Sequence, residues 1–164
     1  MGQTPDSLAL VVLSTDSFSD IWPVFFSNFK KNWPRFSGKK YLITDAVTCY
    51  EKDVITLHPA LNEYKGKMDW GGRFLSCLPE IKENDLLIFL EDFILIKPIN
   101  DAEFEKAYNF FLDKEIHFLT LGSHDLNRYG YFDLKNDFCR VKRFTKYRMT
   151  TSPGLTPARD NNCV

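Results

Sequence analysis

Residues 86–96 read Leu-Leu-Ile-Phe-Leu-Glu-Asp-Phe-Ile-Leu-Ile, an apolar run broken by two adjacent carboxylates, Glu91 and Asp92. The run has no period-two alternation, which predicts a strand covered on both faces, as in the middle of a parallel sheet. An unpaired carboxylate is costly to bury. The strand is therefore predicted to end at the pair, on the carboxyl edge of the sheet, where open α/β sheets bind their ligands. Residues 8–13, Leu-Ala-Leu-Val-Val-Leu, predict a second buried strand, closed by the polar cluster Ser14-Thr15-Asp16-Ser17. Trp22, Phe25, Phe26 and Phe29 then fall at i, i+3, i+4 and i+7, one apolar helix face. Asp20 is placed to cap that helix, Pro23 suits its first turn, and Trp33-Pro34 stops it.

Short strands are predicted over residues 40–44, closed by Asp45, and over 53–57. Residues 59–67 lack a period and read as a loop, and Gly66 and Gly71-Gly72 suggest a mobile or tightly turned chain. Asp69 is placed to cap a helix bearing Trp70, Phe74, Cys77, Leu78 and Ile81 on one side, ending or kinking before Pro79. On these stripes Trp22 and Trp70 both read as core residues. Residues 98–101 form a turn and cap, followed by a helical stripe of Phe104, Ala107, Tyr108, Phe111 and Leu112 and a strand over 116–122. The order β-α-β-β-α-β-α-β predicts a mostly parallel sheet with helices on both sides, an α/β fold of three layers, αβα. Beyond it, residues 124–138 are rich in Asp, Asn and Tyr. Arg140, Lys142, Arg143, Lys146 and Arg148 form a cationic run, readable as a strand pair or an extended arm. Residues 155–164 show no period and read as a frayed tail.

The composition narrows the function classes. A chain of 164 residues that is 44% hydrophobic suits one domain with a substantial core. The formal net charge of −1 gives no global attraction to nucleic acid or membrane. The cationic run reads as a solvated face, and no nucleic-acid partner is expected. Cys49, Cys77, Cys139 and Cys163 show no C-x-x-C spacing, and His58, His117 and His124 make no i, i+4 pair, so neither zinc nor a disulfide framework is indicated. No basic leader, signal core or membrane-length run is present, and Asp6 defeats an N-myristoylation motif at Gly2, so a cytoplasmic location is expected.

In a parallel sheet, Ser14-Thr15-Asp16, Asp45 and Glu91-Asp92 all follow strands and converge on one crevice. No G-x-G-x-x-G, P-loop or G-x-S-x-G is present, which argues against a dinucleotide fold, a P-loop enzyme and an α/β-hydrolase. An edge of carboxylates suits a hard cation, Mg²⁺ or Mn²⁺, that in turn takes diphosphate oxygens. Strand-end acids also serve simply as solvated ends, Asp16 and Asp45 as turn caps, and Arg73 as the partner of a surface acid.

The stretches Val12-Leu13-Ser14-Thr15-Asp16, Asp20-Ile21-Trp22-Pro23, Tyr41-Leu42-Ile43-Thr44-Asp45, Trp70-Gly71-Gly72-Arg73-Phe74-Leu75 and Ile88-Phe89-Leu90-Glu91-Asp92-Phe93-Ile94-Leu95 occur in that order. Together they resemble the N-terminal half of a nucleotide-sugar glycosyltransferase of the GT-A type, more narrowly the bacterial and viral transferases that assemble surface polysaccharide. The resemblance spans residues 8–122. It implies a Rossmann-like nucleotide-diphospho-sugar transferase (GT-A) fold, C-terminally shortened, with a nucleotide-sugar-binding core over 1–122, a partial acceptor-side segment over 123–152 and an irregular tail over 153–164. It further implies that Ser14, Thr15 and Asp16 border the nucleobase and ribose, and that Asp45 bonds the base. Arg73 would neutralise donor phosphate or support the acids, Glu91 would face ribose or sugar, and Asp92 would hold Mn²⁺ or Mg²⁺. The pair here is Glu-Asp rather than the spaced D-x-D form. The implied activity is transfer of a sugar from a nucleoside diphosphate donor to a glycan or lipid-linked acceptor. The alternative is a catalytically incomplete nucleotide-binding or interaction module, because only part of the acceptor side of such transferases has a counterpart here.

Overall fold

The two apolar runs that announce strands pair directly with each other. In the computed structural model, which describes residues 7–59, 70–113, 116–121, 131–135, 138–141 and 153–158, β1 (Leu8–Leu13) lies parallel to β4 (Asp85–Leu90), with Val12 beside Phe89 and Leu13 beside Leu90. On the other side of β1 come β2 (Lys40–Ile43) and then β3 (Val54–Leu57), both parallel to it. These four strands therefore end on one edge. Leu8 to Val12 and Leu86 and Leu87 are all buried, as uninterrupted apolar runs require when both faces are covered.

The covering layers follow from the helical stripes. On one face α1 (Trp22–Asn32) and α3 (Asp101–Asp113) supply Phe25, Phe29, Tyr108 and Phe111, packed with Leu8, Leu10, Val12, Leu87 and Phe89. Phe25 and Phe29 meet Phe89 edge-on at 5.9 and 6.2 Å between centroids, the arrangement that ring quadrupoles favour. On the opposite face α2 (Trp70–Cys77) brings Cys77, followed by Ile81, against Ala9, Val11, Tyr41, Ile43 and Leu86. The fold is thus α/β, with helices on both faces of a mostly parallel sheet, compatible with a Rossmann-like arrangement.

Several local expectations change. Asp20 does not cap α1: the cap is Ile21, with no side-chain hydrogen bond. A 3₁₀ turn at Asp16–Phe18 leads into the helix, with the Phe18 carbonyl accepting from Ile21 N–H and the Ile21 carbonyl from Phe25 N–H, and Pro23 in the first turn has no N–H for a side-chain cap to satisfy. Asp53 belongs to the turn before β3, at φ 64°, a left-handed conformation that Asp tolerates better than most residues. Gly71 and Gly72 lie within α2. That helix ends at Cys77, ahead of Pro79, and continues as a 3₁₀ turn at Leu78–Glu80. Asn100 caps α3, its Oδ1 accepting from Ala102 N–H at 3.1 Å and Glu103 N–H at 3.4 Å.

The largest departure concerns the C-terminal stretch. Residues assigned to an irregular tail form β8 (Gly154–Pro157), inserted antiparallel between β4 and β5 (Leu119–Thr120) in a six-stranded sheet of order β3-β2-β1-β4-β8-β5. A strand of four residues shows no period, and here both neighbours supply the pairing. The core is therefore not complete at residue 122. β6 (Tyr131–Lys135) and β7 (Phe138–Val141) pair with each other in a separate antiparallel ribbon, which puts Arg140 in a strand pair. Asp69, Gly66, His124, Lys142, Arg143, Lys146 and Arg148 lie outside the described residues.

Gly38 is the tightest point of the α1–β2 connection. A Cβ there would sit 2.1 Å from the Leu8 carbonyl oxygen, a backbone atom that cannot rotate away. Gly38→Ala is expected to cost about 2 kcal/mol through forced backbone displacement. Urea denaturation checks this, and an unchanged midpoint would show that the connection yields.

Candidate functional site

The parallel directions of β1, β2 and β4 place Ser14-Thr15-Asp16, Thr44-Asp45 and Glu91-Asp92 along one edge of the sheet. Arg73 reaches the same edge from the first turns of α2. Its guanidinium Nη2 lies 2.7 Å from Asp45 Oδ1 and donates to the Ser14 carbonyl at 2.9 Å. It thereby ties the ends of β1 and β2 together. Arg73 is only 8% exposed, and the side chain of Asp45 35%, so the cation is the buried member of the pair. The Trp70 ring lies against Arg73, 5.3 Å from centroid to guanidinium carbon. This contact is helical i, i+3 spacing put to use. It corrects the reading of Trp70 as a core residue, since that side chain is 40% exposed.

Glu91 is 5% exposed at the end of β4. Burial, followed by the neighbouring Asp92 charge, pushes its carboxyl above the usual range, against the opposing influence of its own backbone N–H, the Ser14 hydroxyl and Arg73. The Ser14 hydroxyl is in turn fixed by Trp22 Nε1, which donates to it at 2.8 Å. Trp22 is therefore core, as its stripe predicts, and also orients the site. A buried indole N–H needs an acceptor, and that requirement is the signal for this second role. Among the described residues, two buried side-chain polar atoms are left without a hydrogen-bond partner: Glu91 Oε2 and Arg73 Nε. Buried polar groups are rarely orphaned, and at a sheet edge such atoms mark a place for an incoming polar group. Asp92 follows in an exposed turn.

Asp16 stands apart. Its Oδ1 accepts from Thr44 Oγ1 at 2.7 Å and from the backbone N–H groups of Asp45, Ala46 and Val47 at 3.1 Å each. Burial raises its pKa, but these hydrogen bonds together outweigh it and hold the carboxyl below its ordinary range. Asp16 thus fastens the loop after β2, in a network that also includes Asp16 N–H donating to Asp45 Oδ2 at 3.3 Å. Thr44 and the loop amides had no signal in the sequence, because backbone donors carry no residue identity. Thr15 engages Ser17 at 2.6 Å on the surface.

Among the described residues no group of three or more His, Cys, Asp or Glu side chains is placed to hold a metal ion. Asp45 is committed to Arg73. Among the described strand-end carboxylates, the oxygens with fewest partners are those of exposed Asp92, the orphaned Glu91 Oε2 and Asp16 Oδ2, which receives only a shared bond from Ala46 N–H. Such a set suits Mg²⁺ or Mn²⁺ only as an ion that draws its other ligands from diphosphate and water, a common arrangement for Mg²⁺. No helix among the described residues is long and apolar enough to cross a membrane. No protein-family model matches the chain, and no curated protein matches it.

Proposed function

We propose that the chain binds a nucleoside diphosphate sugar at the carboxyl edge of its sheet and acts as a GT-A type glycosyltransferase, or as the donor half of one. The observation that carries this reading is the pair of orphaned buried atoms, Glu91 Oε2 and Arg73 Nε, beside Ser14 at the carboxyl ends of parallel strands. An orphan acceptor and an orphan donor in one place match a polyhydroxylated, anionic ligand. Glu91 faces a ribose or sugar hydroxyl, Arg73 supports the acids and offsets donor phosphate, and Ser14 and Asp45 border the nucleobase. Asp92 holds Mn²⁺ or Mg²⁺ jointly with the diphosphate. The ion, when bound, stabilises charge on the departing diphosphate. The acceptor is a glycan or a lipid-linked glycan. A second reading, a nucleotide-binding module without turnover, is favoured by one observation: Asp16 is held by hydrogen bonds and Asp45 by an ion pair within the protein, which makes each a poor general base.

Calorimetric titration with nucleoside diphosphates, with and without Mn²⁺, tests the binding. In Mn²⁺, Asp92→Asn is expected to weaken that binding more than about tenfold, roughly 1.4 kcal/mol, and to change metal-free binding little. Fold stability is expected to hold or rise, because Asp92 repels the buried Glu91 carboxylate. Loss of stability without a metal-specific effect would make Asp92 a structural residue. Donor hydrolysis or transfer by the purified chain separates enzyme from binding module.

A further inference from the structure

The loop after β2 crowds its donors onto one oxygen of the carboxylate it holds. Oδ1 of Asp16 receives the Thr44 hydroxyl and the N–H groups of Asp45, Ala46 and Val47, while Oδ2 receives only a shared bond from Ala46 N–H at 3.1 Å. A carboxylate oxygen has about two lone-pair directions. Four donors on one oxygen therefore crowd it, with the second oxygen nearly bare. Three successive backbone N–H groups converging on one point form an anion-binding nest. A tetrahedral oxyanion spreads the same donors over three oxygens, which a planar carboxylate cannot do.

The surroundings suit such a group. Ala46 and Val47 are exposed, so the nest opens to solvent. Arg73 pairs with the neighbouring Asp45 carboxylate at 2.7 Å, so that anion is already compensated and does not oppose a second one. The 3₁₀ turn at Asp16–Phe18 that carries the plugging carboxylate contains no buried residue, so moving it aside gives up little apolar burial.

We propose that residues 44–47 form a phosphoryl-binding nest and that Asp16 fills it as an internal anion, displaced when the phosphoryl group of a ligand arrives. The proposal needs neither a nucleotide nor a metal, so it stands or falls separately from the transferase reading. It also gives Asp16 a role other than contact with base or ribose.

The test is titration of the full chain with inorganic phosphate, free of divalent metal and with chloride keeping the ionic strength constant. Asp16→Ala and Asp16→Asn remove the internal charge. Both are expected to bind phosphate at least about tenfold tighter than wild type, and phosphate is expected to raise their melting temperatures more than that of wild type. The wild-type comparison subtracts the general stabilising effect of phosphate on folded proteins. Folded variants with wild-type phosphate affinity would overturn the proposal and leave the nest as a loop clamp. If neither variant folds in chloride, recovery of the native circular dichroism spectrum in phosphate supports the proposal, and no recovery overturns it.

Discussion

Leu155→Asp will leave the chain largely unfolded. Leu155 is fully buried in β8, opposite Leu87 on one side and Leu119 on the other. A carboxylate there has no partner, and its burial is expected to cost more than about 4 kcal/mol, at the far end of what single substitutions do. Domain stabilities are commonly about 5–15 kcal/mol, so this removes most or all of the margin. The strand has no slack with which to turn the side chain outward. A one-residue slip would move Gly154, whose added Cβ would already lie 2.6 Å from the Phe118 ring. Loss of the cooperative transition in urea, followed by circular dichroism, is the expected readout. If residues 153–164 were an irregular tail, the same substitution would be a surface change worth within about 0.5 kcal/mol.

β8 also shows why part of the fold was illegible in the sequence. β1, β4, α1 and α3 announce themselves because each carries its own period or apolar run over six residues or more. Their order alone implies parallel strands, which fixes the shared edge. β8 has four residues, including Gly154 and Pro157, and exists because β4 and β5 hold it from both sides. That is tertiary context overriding local preference. Its antiparallel direction is likewise invisible in a window of sequence. Asp20 failed as a cap for a related reason: the 3₁₀ turn carries the chain into the helix one residue later, at Ile21, and that point of entry is set by the turn rather than by the polar residue before the stripe.

The convergence of the candidate residues on one edge was legible in the sequence, and their wiring was not. Ser14, Asp16, Asp45 and Glu91-Asp92 follow strands that run parallel, and strand direction brought them to one edge. Arg73 joins them because α2 begins at the same edge. What sequence could not assign was which acid is open. Asp16 and Asp45 read alike as short acids after strands, yet the first holds a loop and the second pairs with Arg73. Glu91 and Asp92 are neighbours in sequence, and the turn after β4 keeps the first buried while exposing the second. Burial thus divides each pair of similar residues into different chemistries, and burial is a property of the assembled edge.

The Arg73–Asp45 pair carries the second large effect, and the two partners will not be equivalent. Asp45→Ala leaves a guanidinium whose side chain is 10% exposed with only the Ser14 carbonyl to accept from it at Nη2. Breaking a fully buried pair costs about 3–5 kcal/mol, mostly because a charge is left uncompensated. Water reaching the vacated, partly open Asp45 position lowers this to about 3 kcal/mol. Arg73→Met instead leaves a carboxylate that is 35% exposed and can hydrate, and methionine keeps the bulk of the buried stem. That variant is expected to lose only about 1–2 kcal/mol, chiefly the bond to Ser14. The double variant Asp45→Ala, Arg73→Met then contains neither charge. It is expected to be more stable than Asp45→Ala alone by about 1 kcal/mol, so that its total loss of about 2 kcal/mol falls about 2–3 kcal/mol short of the two single losses added together, a coupling in the range for contacting residues. Urea unfolding of the four chains measures the cycle. An ordinary surface salt bridge predicts the opposite pattern, with single losses below about 1 kcal/mol and simple additivity. The pair would then no longer account for how the ends of β1 and β2 are held together beneath the candidate site.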